Sequence, residues 1–183
     1  MYIYMNNAVP DPLLHQSGSS TDEQVPGKAV FNVSTFWQGG LKSESVCNAS
    51  IINGQTQAGR GHKLSSDEPE LLGGNGSAPG PQELLLAAFN ACLTAAYVTA
   101  ARAENVLIDK LNITTSGELD VSRFLGLDSG EEPIPETLRY VITVSGSGSV
   151  CQFERIHQSV IATSPNRWII GKGMLIEGDQ IIE

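Results

Sequence analysis

The chain has 183 residues, with 20 acidic against 11 basic side chains, a formal net charge of −9, and 40% hydrophobic residues. Such a composition is globular, and the length suffices to bury a core without disulfide or metal staples. A nucleic-acid surface needs clustered Lys and Arg; the scattered basic residues form no cluster, so nucleic acid and anionic membrane are excluded as expected partners.

Residues 1–27 carry Pro10, Pro12, Pro26 and the run "SGSSTDE", which is turn and linker chemistry. They read as an N-terminal arm, and residues 28–183 as one domain. The opening "MYIYMNNAVPDP" has neither a basic n-region nor a long apolar h-region. "KAVFNVSTF" (28–36) alternates as a strand, "WQGG" turns, and "LKSESVCNASII" (41–52) reads as a second strand. Asn53-Gly54 is a hairpin signal, because both residues tolerate the positive φ that a tight turn requires. A third strand follows near 56–64. "SSDEPELLGGNGSAPG" (65–80) is a loop rich in Gly, Pro and acids that lacks the GxxxxGK(S/T) arrangement of a phosphate loop and its lysine.

Pro81 then suits a first helical position, and Glu83 sits in the first turn, where the helix dipole favours an anion. The stretch 84–103 is apolar nearly all round, but Asn90, Thr94 and Thr99 interrupt it and Arg102 and Glu104 follow. It reads as a buried core helix rather than a membrane span. Residues 106–121 and 137–147 alternate as two strands joined by a charged tip. Ser149 and Gln152 form a capping box for a helix at 150–163, with Phe153, Ile156, Val160 and Ile161 on one face. Ser164-Pro165-Asn166 ends that helix, and "GMLIEGDQII" (173–182) reads as a last strand.

The order βββ–α–ββ–α–β, with strands in hairpins, gives an α+β class with largely antiparallel sheets. A helix that is apolar all round must be covered on every side. One small sheet covers one side, and a second copy of the chain is the economical cover for the other, so a homodimer is expected.

Three cysteines, Cys47, Cys92 and Cys151, form no CxxC pair, and their odd number does not suit a secreted disulfide framework. Free thiols in a reducing cytoplasm are expected. With no metal-ligand cluster and no dinucleotide fingerprint, no metal and no cofactor are expected. Cys92 is flanked on its helix by Ala88, Ala91, Ala95 and Ala96. Small neighbours leave room around the sulfur, for a closely packed backbone or for a pocket. A buried cysteine behaves as a small hydrophobe unless its surroundings favour the thiolate.

The helix "PQELLLAAFNACLTAAYV", with the preceding "SSDEPELLGGNGSAPGP", resembles the signature helix of the OsmC/Ohr family, the osmotically inducible and organic hydroperoxide resistance proteins. The strand order, the second helix and "TSPN" also resemble the family, over about residues 28–183. The resemblance implies an OsmC-like fold, with antiparallel sheets packed on a long buried helix in an intertwined homodimer. It also implies reduction of organic hydroperoxides by a thiolate, with an arginine to stabilise the anion, a carboxylate to orient the arginine, and a resolving cysteine.

On this sequence Cys92 takes the peroxidatic position. Gln82, directly after Pro81, stands where the carboxylate belongs, with Glu83 next to it as a substitute. Ser164 stands at the resolving position, and Leu41 and Lys42 follow the glycine turn where the Ohr branch supplies arginine. Arg60 and His62 in "GRGHK" are candidates for the missing cation, against the alternative of a solvated strand end. Cys151, at the start of the second helix, is a candidate resolving thiol, and Cys47 a packing residue. The expected function is a thiol-dependent organic hydroperoxide peroxidase, reduced by an external thiol. The alternatives are an OsmC-fold dimer that holds a small apolar ligand with Cys92 inert, and a thiol enzyme outside peroxide chemistry.

Overall fold

A computed structural model of the chain describes residues 27–122, 124–127 and 137–182. The N-terminal arm, apart from Gly27, and the centre of the charged tip lie outside these residues. The chain divides into two compact units, with the boundary between Leu84 and Leu85.

The first unit is a bent antiparallel meander. The first predicted strand divides into β1 (Ala29–Val30) and β2 (Val33–Trp37), the second into β3 (Ser43–Cys47) and β4 (Ser50–Ile52), and the third into β5 (Gln55–Gln57) and β6 (Lys63–Ser66). Two three-stranded sheets result, in the orders β1-β4-β5 and β2-β3-β6. Each predicted strand breaks at the same level, and asparagines pin the corner. The Asn48 N–H donates to the Asn32 carbonyl at 2.9 Å, and the Asn32 side chain donates to the Ala49 carbonyl at 2.9 Å. Gly59 lies so close to this corner that a Cβ would come within 2.9 Å of the Asn48 carbonyl carbon. The Asn53-Gly54 turn is present, with φ of 50° and 77°, the pair of positive values a type I′ hairpin needs.

Residues 67–80, after β6, form a loop with one 3₁₀ turn, Glu70–Leu72. Its centre is Asp67, which is fully buried. Asp67 Oδ2 accepts from the Ser77 N–H at 3.1 Å, the Ser77 hydroxyl at 2.9 Å and the Asn75 N–H at 3.3 Å. These donors, Ser77 foremost, hold the Asp67 carboxyl below its ordinary value. Gly74 is obligatory, since a Cβ there would lie 1.8 Å from the Glu68 carbonyl oxygen.

The second unit holds most of α1 (Pro81–Ala103), followed by β7 (Ile108–Glu118), β8 (Thr137–Gly146), α2 (Val150–Thr163) and α3 (Pro165–Lys172). β7 and β8 pair antiparallel with Ile113 opposite Ile142, and an irregularity separates Ile108 from Lys110. Along β8 the alternation is strict: Leu138, Tyr140, Ile142 and Val144 are half-buried and their neighbours exposed. The inner residues pack on a core of Phe89, Leu93, Tyr97, Ala100, Ala101, Val106, Ile156 and Val160. α2 carries the expected capping box, with the Ser149 hydroxyl accepting from the Gln152 N–H and the Gln152 side chain accepting from the Ser149 N–H. Arg155 on α2 grips Glu104, just past α1, through Nε at 3.1 and 3.2 Å and a second guanidinium nitrogen at 2.6 Å.

Two expectations need correction. Ser164-Pro165-Asn166 does end α2, but it also starts α3, because proline at the first helical position sacrifices no hydrogen bond. Residues 173–182 form no strand, because they have no ladder partner among the described residues. Leu175, Ile176, Ile181 and Ile182 are all exposed there.

Asp67 ties acid stability to the loop. Its carboxyl is held low, so the stabilisation is present above the ordinary carboxylate value of 3.8 and fades as pH falls through the lower folded value. Thermal melts from pH 7 to pH 3 should show Asp67→Asn melting below the unmodified chain at neutral pH, with the gap closing on acidification.

Candidate functional site around Cys92

The site is built where α1 meets the junction of α2 and α3. Phe89, Leu93, Tyr97 and Ala101 recur at helical spacing and set α1 into the core. Cys92 precedes Leu93, at the edge of that buried stripe, and is half-buried. Facing it, the chain turns at Ser164, whose N–H closes α2 on the Val160 carbonyl at 3.1 Å. Ser164 is fully buried. Its hydroxyl does not cap α3; it lies 3.4 Å from the Cys92 sulfur.

The next residues complete the contact. Pro165 has no N–H to give. The Asn166 N–H, one of the free amides at the start of α3, donates to Cys92 Sγ at 3.5 Å. The Asn166 side chain donates to the Ala88 carbonyl at 2.9 Å, one turn before Cys92. α3 is therefore fastened to α1 beside the sulfur. Cys92 also borders a groove of about 520 Å³, lined by Ala95, Ala96, Thr99, Ser159, Thr163 and Pro165 among others. The small side chains that left room around Cys92 in the sequence line open space here, in a wall that carries hydroxyls and no charge.

The other candidates occupy distinct places. Cys151 is exposed at the start of α2; Ser164 follows the end of that helix, so at 1.5 Å per residue the two are about 20 Å apart. Cys47 is half-buried at the end of β3. Gln82, Glu83, Arg60 and His62 belong to the first unit and Cys92 to the second. Glu83 turns back to accept the Gly80 N–H at 2.8 Å, which caps the start of α1. Gln82 is half-buried, while Arg60 and His62 are exposed between β5 and β6. The His62 carbonyl accepts the Cys47 N–H at 2.9 Å, which is a strand role. No group of three or more His, Cys, Asp or Glu able to hold a metal occurs among the described residues.

Comparison with known proteins fits this arrangement. The OsmC-like protein family matches residues 74–176, more than half of the chain. The chain belongs to the OsmC-like family. Solved structures share its fold. An OsmC-like protein from Mycoplasma pneumoniae matches with a TM-score of 0.58 at 13% identity, over 78% of this chain and 88% of that one. A putative osmotic stress induced and detoxification response protein from Psychrobacter arcticus matches with a TM-score of 0.52 at 15% identity, over 74% and 84%. An organic hydroperoxide resistance protein OsmC from Legionella pneumophila matches with a TM-score of 0.51 at 19% identity, over 79% and 90%. No curated protein matches the sequence.

The position of Ser164 in the family pattern was legible in the sequence; the part played by Asn166 was not. "SPN" read only as a helix stop, although serine followed by proline is equally a helix start.

The separation of Cys151 from Ser164 has a direct consequence. A disulfide needs Cα atoms within about 7 Å. After one equivalent of cumene hydroperoxide, intact-mass analysis should show no loss of two hydrogens and no crosslinked peptide joining Cys92 to Cys151.

Proposed function

We propose that this OsmC-like protein is a thiol-dependent organic hydroperoxide peroxidase in which Cys92 is the nucleophile. The observation that carries the reading is the placement of Cys92 Sγ: held by two hydrogen-bonding groups and open to a groove with an uncharged wall. The thiolate attacks the terminal peroxide oxygen. The O–O bond breaks, sulfur gains the S–O bond, and the departing alkoxide takes a proton to leave as an alcohol. Cys92 is then a sulfenic acid. With Ser164 at the resolving position, no protein thiol condenses with it. A small external thiol displaces water to form a mixed disulfide, and a second thiol releases Cys92 reduced. Turnover is slow and depends on added thiol.

A second reading, a non-catalytic dimer that holds a small apolar ligand, is favoured by one observation: the family's carboxylate and resolving thiol are here Gln82 and Ser164. Dimedone trapping after cumene hydroperoxide separates the two. The peroxidase reading expects the adduct on Cys92 and peroxide consumption that rises with added small thiol. Modification confined to Cys47 or Cys151 overturns it.

The protein is also proposed to work as a homodimer in a reducing cytoplasm. Ala87, Ala88, Ala91, Ala95 and Thr99 are exposed along α1, as are Phe31, Trp37, Leu175 and Ile176 elsewhere. Apolar surface of this extent is what an obligate interface covers, and such interfaces exceed about 2,000 Å². Multi-angle light scattering at micromolar concentration should give twice the chain mass; a folded monomer sinks the dimer.

A further inference from the structure

We infer that the Ser164 hydroxyl and the Asn166 backbone N–H together position and stabilise the Cys92 thiolate, so that the α2–α3 junction supplies locally the stabilising donors that the peroxidase reading otherwise seeks in a cation. The inference rests on that reading for its purpose, but its geometry is independent of it. Ser164 is fully buried, and its hydroxyl could have capped α3 yet does not. It points instead at the sulfur, 3.4 Å away. While Cys92 is a thiol, either partner can donate. Once Cys92 has lost its proton the direction is fixed: a thiolate only accepts, so the hydroxyl donates. Asn166 adds a second donor at 3.5 Å that does not titrate and cannot rotate away.

The rest of the junction keeps these donors in place. Pro165 sets the backbone at the first position of α3 and removes the one N–H that would compete there. The Trp168 N–H is already given to the Ser164 carbonyl at 3.3 Å. The Asn166 side chain locks the junction to Ala88. Among the described residues no charged side chain is hydrogen-bonded or ion-paired to Cys92; the donors are a hydroxyl and an amide. Hydrogen bonds to an ionised acceptor are about twice as strong as neutral ones, and both donors are aimed at the sulfur. Ser164 is a positioning residue in this scheme, and it occupies the place from which a thiol would otherwise attack the sulfenic acid.

The test measures Cys92 alkylation by iodoacetamide in the full-length folded protein across pH 5–9, with peptide mapping to separate Cys92 from Cys47 and Cys151. Ser164→Ala should slow Cys92 alkylation at pH 7 about tenfold, as loss of one hydrogen bond to a charged group implies, and should move the rise in rate to higher pH. Ser164→Thr, which keeps the hydroxyl, should stay within about twofold of the unmodified chain, on the same principle. Cys47 and Cys151 should keep their rates in every variant. Equal Cys92 rates and pH profiles in Ser164→Ala and the unmodified chain overturn the inference. Because a buried serine can be needed for folding, Ser164→Cys provides a second measurement. One equivalent of peroxide should then remove two hydrogens and join Cys92 to the introduced thiol, and persistence of a dimedone-reactive sulfenic acid in that variant overturns the geometry. Should unmodified Cys92 resist peroxide altogether, the peroxidase reading fails while the alkylation results still decide the role of Ser164.

Discussion

Exposed apolar surface is the dominant energetic feature of the described residues. Among these residues, the hydrophobic core runs from Phe89 to Val160. Among the described residues of the first unit, the buried ones with side chains are the acids Asp67 and Glu68. Its aromatic residues are outside, with Phe31 73% exposed and Trp37 77% exposed. A three-stranded antiparallel ribbon without a buried apolar face is marginal in water, and bending it at the Asn32–Asn48 corner adds no core. What holds the first unit by itself is backbone pairing, the Asn53-Gly54 turn and the Asp67 loop. Each hydrogen bond of that kind contributes only about 0.5–1.5 kcal/mol net. Burial of large side chains contributes roughly 1.5–3 kcal/mol apiece, so covering this surface is the larger energetic demand. The same holds for the alanine face of α1 and for residues 173–182. A strand that fails to form for want of a ladder is the backbone form of the same deficit.

How much of this could be read from the sequence depended on whether the signal was local. The hairpin at Asn53-Gly54 and the capping box at Ser149 and Gln152 are short-range chemistry, and both are present as read. The alternation of β8 was equally plain, because its inner residues meet a core within the same unit. The three split strands were missed at Asn32, Asn48 and Gly59 because the alternation runs on across the bend. The close approach at Gly59, which leaves no room for a Cβ, is a tertiary fact. Residues 173–182 were misread for the converse reason. "GMLIEGDQII" has the apolar content of a strand, but pairing is a property of a neighbour and not of the segment.

At the site, family pattern and geometry divided the work. The pattern placed Cys92 and Ser164, 72 residues apart, in one centre, and the two atoms do meet. No periodicity in the chain carries that pairing. The Asn166 amide was invisible because a backbone N–H leaves no mark on residue identity; it becomes available only once Pro165 is seen to start a helix rather than merely end one. Glu83 shows the limit in the other direction. Its carboxylate was read as a possible orienting group, and it is committed to the Gly80 N–H.

Replacing a thiol by a hydroxyl at the position of Ser164 changes what oxidation can lead to. A sulfenic acid facing a thiol closes to a disulfide, which ends its exposure to further peroxide. Facing a hydroxyl, it has no such exit at that position. It persists until an outside thiol arrives or a second peroxide carries it to the sulfinic acid, which ordinary thiols do not reverse. The groove beside Cys92 is therefore under two demands in the proposed chemistry. It must admit peroxide once and then admit a reductant faster than a second peroxide. A wall of Ala95, Ala96, Thr99, Ser159 and Thr163 selects neither by charge. In that scheme the outcome follows from the relative concentrations of small thiol and peroxide at the groove.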